Sequence, residues 1–144
     1  MQIVIVDDSC IDGSVDQMIQ SAQNVAKSHS FFHLYVQDYR KSKTQRYQAL
    51  PSYQTDQVTI YLDVFSCPSP GGIAKALNFG IVQCKSDLIA RMDADDVCSP
   101  HRLISQMYTL RTEQKPDVLG MSSINFTSAD TNEKIATTNF TTNH

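Results

Sequence analysis

No stretch of this chain approaches the roughly 20 consecutive apolar residues that a membrane-crossing helix needs. The sequence therefore offers no transmembrane segment. Nor does it open on a signal peptide, because residues 1–6 read as a short strand ending in Asp7-Asp8. The four cysteines (Cys10, Cys67, Cys84 and Cys98) contain no CxxC pair and no histidine stands at ligand spacing to them, which excludes a structural zinc site and leaves reduced, mostly packing thiols. A net charge of −3 lacks the basic excess that nucleic acid or an anionic membrane surface would call for. Low-complexity bias is missing too: 41% hydrophobic and 19% charged residues are ordinary for a globular chain, so a folded one is expected. Cytosol, with or without peripheral attachment to a membrane, is the expected compartment. The Asn-Phe-Thr sequons at Asn125 and Asn139 then read as chance matches.

What is present is a chain of 144 residues, one domain on length and enough to bury a core. Residues 3–6 are four apolar residues in a row, which suits a strand buried on both faces of a parallel sheet. After Asp12-Gly13, Ser14 and Gln17 have capping-box spacing, and Val15, Met18, Ile19, Ala22, Val25 and Ala26 predict an amphipathic helix. Phe32, Leu34 and Val36 alternate as in a strand. Residues 37–57 are polar and aperiodic, which points to an insertion or flexible loop. Residues 58–65 are strand-like, and Pro70-Gly71-Gly72 opens a helix with a stripe of Ile73, Ala76, Leu77, Gly80, Ile81 and Cys84. Residues 87–92 predict a short strand ending in Asp93-Ala94-Asp95-Asp96. Ser99-Pro100 start another helix, striped by Leu103, Met107 and Leu110. Residues 118–126 predict a last strand, and 128–144 a Thr- and Asn-rich tail. Strands alternating with helices give an α/β fold with a mainly parallel sheet.

Asp7-Asp8 and the run at 93–96 share a placement: each follows an apolar strand and precedes a helix. In a parallel sheet the carboxyl ends of strands line the edge where ligands bind. Like charges about 4 Å apart repel by roughly 4 kcal/mol at intermediate dielectric. A positive or hydrogen-bonding group is required there, and Mg²⁺ or Mn²⁺ with oxygen ligands is the natural candidate. The structural alternative is that such aspartates merely cap helices and turns. One cap needs one carboxylate, so Asp96 reads as the structural member and Asp93 and Asp95 as the functional pair. Lys75 lies one turn into the helix opened by the two glycines, where backbone N–H groups face anions. Its alternative reading is a solvated surface lysine.

The blocks GIAKALNFGI (residues 72–81), LIARMDADD (88–96) and Pro100-His101-Arg102-Leu103 with Gln106 resemble the central block of family 2 glycosyltransferases. Ile5-Val6-Asp7-Asp8-Ser9 with Asp12-Gly13-Ser14 is similar to that family's second-strand motif, with Cys10 and Ile11 in place of small polar residues. The resemblance covers roughly residues 2–30 and 71–126, in the family's order. It implies a GT-A, Rossmann-like fold and an inverting, metal-dependent transfer of a sugar from a nucleotide donor, usually a UDP-sugar, to the hydroxyl of a glycan or other acceptor. By resemblance Asp7 or Asp8 contacts the uracil, Asp93 the ribose, and Asp95, with Asp93, the Mn²⁺ or Mg²⁺ on the diphosphate. Lys75 and Asn78 lie near the nucleotide, and Arg102 braces the loop after the acidic motif.

The family pattern also includes a strand ahead of Met1 and a base downstream of the acidic motif. Residues 1–144 are accordingly expected to form a single, partial domain. None of the later acids, Glu113, Asp117, Asp130 or Glu133, is assigned as the base. A non-catalytic nucleotide-sugar-binding module of the same family is the alternative. From a different class, the receiver module of response regulators also begins like residues 1–8. Leu62-Asp63-Val64 with Pro68 and Gly71-Gly72 resembles its phospho-acceptor loop, and Lys115-Pro116 its lysine. Against that reading, no hydroxyl residue ends the strand predicted at 88–92, and the acidic run at 93–96 has no role.

Overall fold

The computed structural model describes residues 1–40, 46–48, 58–69, 71–112, 118–120, 123–125 and 136–138, with 46–48, 123–125 and 136–138 described through their backbone. Two compact units divide the chain, Met1–Ile89 and Ala90–His144. The first holds strands β1 (Gln2–Asp7), β2 (Phe32–Asp38), β3 (Arg46–Gln48) and β4 (Val58–Ser66), with helices α1 (Ser14–Ser28) and α2 (Gly72–Gln83). The second holds helix α3 (Arg102–Thr112) and the short strands β5 (Ser123–Asn125) and β6 (Ala136–Thr138).

In the first unit the sheet order is β1-β4-β2-β3. The first three strands run parallel, and β3 pairs antiparallel to β2. The predicted α/β class is what the sheet and helices display. Strand period 2 sorts the side chains into two faces. On one face, Ile5 of β1 stands beside Val64 of β4, and Leu62 beside Val36 of β2. Val15 and Ile19 of α1 close over Leu34, Val36, Leu62 and Val64, with Ile5, Ala22, Ala26, Phe32 and Ile60 at the margin. The opposite face presents Val6 and Phe65 to α2, where Phe79 meets Phe65 edge-on at 6.2 Å. A Cβ at Gly80 would lie 3.0 Å from Val6 Cγ2, so the absent side chain is what lets α2 rest on β1.

Several expectations are revised in detail. The strand at 3–6 is not buried on both faces: β1 ends the described sheet order, and Ile3 is 39% exposed. Ser14 is the first helical residue rather than the cap; Gly13, at φ 75°, occupies that position, and the Ser14 N–H donates to Asp12 Oδ1 at 3.0 Å. That bond and the Ser14 hydroxyl lower the Asp12 carboxyl below its ordinary range. Val25 is half exposed, which narrows the buried stripe of α1. The sheet-facing side of α2 is turned from the predicted one: Ala76, Phe79, Gly80 and Gln83 are half-buried, while Ile73, Leu77 and Ile81 are exposed. Helix α2 is apolar on nearly every side, so hydrophobic spacing alone could not choose its buried face. In the segment 37–57, Gln37 and Asp38 complete β2, and 46–48 form β3; residues 41–45 and 49–57 lie outside the described residues.

Residues 88–92, which run from the end of the first unit into the second, are not a strand. A strand exists only through a paired neighbour, and among the described residues these five pair with none. Helix α3 begins two residues after Pro100, its entry turn closed by Arg102 N–H to Ser99 O at 3.0 Å. Leu103 and Met107, predicted as its buried stripe, are 44% and 42% exposed, while Leu110 is half-buried. Of the predicted strand at 118–126, residues 118–120 are not a strand and 123–125 form β5, which pairs antiparallel with β6 from within the predicted tail; 121, 122 and 126 lie outside the described residues. Among the described residues no helix is long and apolar enough to cross a membrane.

Leu62 is 3% exposed between its neighbours on β1 and β2. Leu62→Ala should lower unfolding free energy by about 2–5 kcal/mol through transfer and cavity losses, measurable as a shift of the urea midpoint at unchanged slope.

Candidate functional site

Asp7 ends β1 at the carboxyl edge of the parallel strands, in register with Ser66 of β4, and Asp8 follows just beyond it. Being consecutive, they point to opposite sides. Asp7 has the parity of Ile5 and turns toward the α1 face, where it is only 8% exposed. Its Oδ1 accepts the Cys10 N–H at 2.8 Å, closing a turn over Asp8 and Ser9; Ser9 takes φ 70° inside it. Its Oδ2 lies 3.6 Å from Arg40 Nη1. The same carboxylate pushes the neighbouring Cys10 thiol above its ordinary value.

Arg40 is the cation at this edge. Tyr39 N–H bonds Val64 O at 2.8 Å and carries the chain past the end of β2. Arg40 then lies beside Asp38, which follows Leu34 and Val36 on the core-facing parity and is 3% exposed. The guanidinium holds Asp38 through Nε at 2.9 Å and Nη2 at 2.8 Å, a fork of parallel bonds that suits arginine. Nη2 also reaches Asp16 in the first turn of α1 at 2.7 Å. Hydrogen bonding to Asp38, opposed by burial and aided by Asp16, holds the guanidinium proton above its already high ordinary value. The positive offset demanded by the first acidic cluster is therefore supplied at Asp7 by an arginine of the chain.

Asp8 turns toward α2. Its Oδ2 accepts the Gly72 N–H at 3.1 Å, placing a carboxylate at a helix N-terminus, where dipole and free N–H groups favour it. Gly72 has φ 75°, a conformation that side chains rarely adopt. Asp8 Oδ1 is buried and has no hydrogen-bond partner among the described residues. The loop from β4 folds across the same turn, with Cys67 N–H bonded to Asp7 O at 2.8 Å. Lys75 curls back over Gly71 to donate to Ser69 Oγ, and a Cβ at Gly71 would sit 2.1 Å from Lys75 Cδ. Asn78 is exposed three residues further along α2. The first unit thus brings Asp8 and the start of the helix bearing Lys75 together.

The other predicted residues lie in the second unit. Asp93 Oδ1 pairs with Arg91 Nη2, and the Asp93 carbonyl accepts the Asp96 N–H at 3.2 Å, which makes the acidic run a turn. Asp95 and Asp96 are exposed. Arg102 Nη2 donates to the Arg91 carbonyl at 2.6 Å, so the backbone it holds precedes the acidic run rather than following it. Gln106 Nε2 reaches Leu119 O at 3.5 Å. Among the described residues no three His, Cys, Asp or Glu gather as a metal cluster. Asp95 and Asp93 nevertheless offer the oxygen donors that a hard divalent cation takes alongside phosphate and water.

The family model for glycosyl transferase family 2 matches residues 62–142, more than half of the chain. The chain belongs to glycosyl transferase family 2. As a family 2 member it is 36% identical over 55 residues to the amylovoran biosynthesis glycosyltransferase AmsE of Erwinia amylovora. It is 43% identical over 56 residues to the O-antigen biosynthesis glycosyltransferase WbnJ of Escherichia coli, and 39% over 56 to an uncharacterized glycosyltransferase of Haemophilus influenzae. These alignments take in 38%, 38% and 39% of this chain and 21%, 22% and 20% of the relatives, so the aligned part spans about a fifth of their length. No solved structure matches. The family match begins at Leu62 and leaves Asp7-Asp8 outside it; the place of Asp7 at the carboxyl edge of the sheet rests on the register of β1 with β4.

The same geometry removes the receiver reading. Asp63 lies three residues inside β4, 3% exposed, and accepts Gln2 Nε2 at 2.7 Å, so it is no strand-end phospho-acceptor. Lys115 is outside the described residues. Of the cysteines, all free, Cys67 is buried and Cys84 half-buried, while Cys10 and Cys98 are exposed, so only two act as packing thiols. Sequence reading missed Arg40 and Asp38, although an aspartate continuing the Leu34-Val36 alternation was a signal that a buried carboxylate needed a cation. Removing one partner of a buried ion pair leaves the other uncompensated. Arg40→Ala should therefore cost about 3–5 kcal/mol in denaturant unfolding, whereas Asp16→Asn, at a carboxylate 60% exposed, should cost under about 1 kcal/mol.

Proposed function

We propose that this chain carries the donor side of a sugar transferase that uses a nucleotide-diphosphate sugar, a UDP-sugar by preference, and a divalent cation. The observation that carries the reading is Asp8: a carboxylate just past the end of β1 with one oxygen on the α2 N-terminus and the other buried without a partner among the described residues. An unsatisfied buried acceptor is costly, and a uracil imide N–H is a donor that would satisfy it. Asp7, engaged by Arg40 and Cys10, is on this reading the supporting member of the pair. Lys75 and Asn78 are assigned to the nucleotide's vicinity, Asp93 to the ribose, and Asp95 with Asp93 to Mn²⁺ or Mg²⁺. When bound, such a cation stabilises negative charge developing on a departing diphosphate. Transfer with inversion to a hydroxyl is the expected reaction, and the names of AmsE and WbnJ, for amylovoran and O-antigen biosynthesis, favour a glycan acceptor.

Donor binding and transfer are separable properties. Transfer needs a base within reach of the acceptor hydroxyl, and Glu113, Asp117, Asp130 and Glu133 all lie outside the described residues. A chain that binds the donor without transferring sugar is therefore the second reading.

Calorimetric titration with UDP, with and without Mn²⁺, tests the donor assignment. Affinity should rise with the metal, and Asp95→Ala should abolish that rise. Asp8→Ala should weaken binding about tenfold or more, the scale of one hydrogen bond to a charged group. UDP binding indifferent to metal and to both substitutions would remove the assignment.

A further inference from the structure

We propose that Arg40 is a positioning residue for Asp8, acting through the Asp7 carboxylate. The inference rests on the reading of Asp8 as the ligand-facing acid. Asp8 and Ser9 lie inside the turn that Asp7 Oδ1 closes onto the Cys10 N–H. The geometry of that turn depends on where the Asp7 carboxylate is held, and its second oxygen faces Arg40 Nη1. Arg40 is itself fixed from two other elements, by the fork to Asp38 at the end of β2 and by Asp16 on α1. Its side chain is 12% exposed and that of Asp38 4%, so the clamp is shielded from water. The connection runs from β2 and α1, through Arg40, to Asp7, and across the Cys10 bond to the residue whose carboxylate meets Gly72. Ser9, at φ 70°, is held in a conformation that a non-glycine residue leaves when its restraints are released.

Lysine keeps the charge but lacks the planar fork, so Arg40→Lys should preserve the fold while loosening Asp7. Two measurements judge it. Amide hydrogen exchange, which needs no ligand, should speed up about tenfold at Cys10 and Gly72, while Ile60 and Leu62 in β4 keep their protection, as for a local opening. UDP affinity should fall about tenfold, the scale of losing a partner that orients a ligating group. That loss should vanish in an Asp8→Ala background, because two changes acting on one contact are not additive. Unchanged exchange at Cys10 and Gly72, or equal loss of UDP affinity in both backgrounds, would overturn the proposal. Asp38→Asn, which weakens the fork and leaves Arg40 in place, is the second variant and should show the same pattern. Wild-type protein that fails to bind UDP would count against the donor reading alone, since the exchange measurement still decides whether Arg40 orders the turn.

Discussion

A carboxylate at the end of a buried parallel strand needs a positive partner, and in this chain the partner comes from a different strand. Arg40 supplies it for Asp7 and Asp38 together, and through Asp16 it ties the start of α1 to the same edge. Asp16 is largely in water, while the fork satisfies the more buried Asp38. The core beneath, from Ile5 through Val64 and Val36, sets the strand register. That register brings Asp7 and Asp38 to the same end of the sheet. Packing thus determines which charges meet, and the ion pairs then fix the turn that follows β1.

The two acidic runs follow a similar internal rule, each within its own unit. The first aspartate of each pairs with an arginine of the chain, Asp7 with Arg40 and Asp93 with Arg91. The physical weight differs. Arg40 and Asp7 are shielded, whereas Arg91 and Asp93 are 47% and 38% exposed, and an exposed pair contributes little to stability. The demand for a counter-charge, read from the sequence as a demand for a metal, is met in part by these arginines. Beyond these pairs, Asp8 meets the Gly72 N–H, while Asp95 and Asp96 are exposed.

The main elements of the first unit were legible because their signals are local. Alternation at 32, 34 and 36 and the i, i+4 spacing of Val15 and Ile19 correspond to a buried strand and a buried helix face. The illegible parts depend on partners distant in sequence. Residues 88–92 have a strand's composition, but pairing is a property of two segments, and none of the described residues supplies the second. The orientation of α2 was hidden because Ile73, Leu77 and Ile81 look as buriable as Phe79 and Ala76. The choice is made by Gly80, which alone permits close approach to Val6. Arg40 was lost in a polar segment whose average character says loop, although its own neighbours place it at the sheet.

The division of labour between Asp7 and Asp8 follows from strand geometry. Adjacent residues at the end of a strand cannot both face the same helix. With α1 on one face of the sheet and α2 on the other, a pair of acids must serve one each. The acid toward α1 meets a protein cation and becomes part of the framework. The acid toward α2 meets a backbone N–H of Gly72, which engages one oxygen and leaves the other for a ligand donor. Exchanging the two roles would require reversing the parity of β1, which would also drive Ile5 out of the core. The hydrophobic pattern that buries Ile5 therefore also decides that the second acid, Asp8, is the one that meets the start of α2.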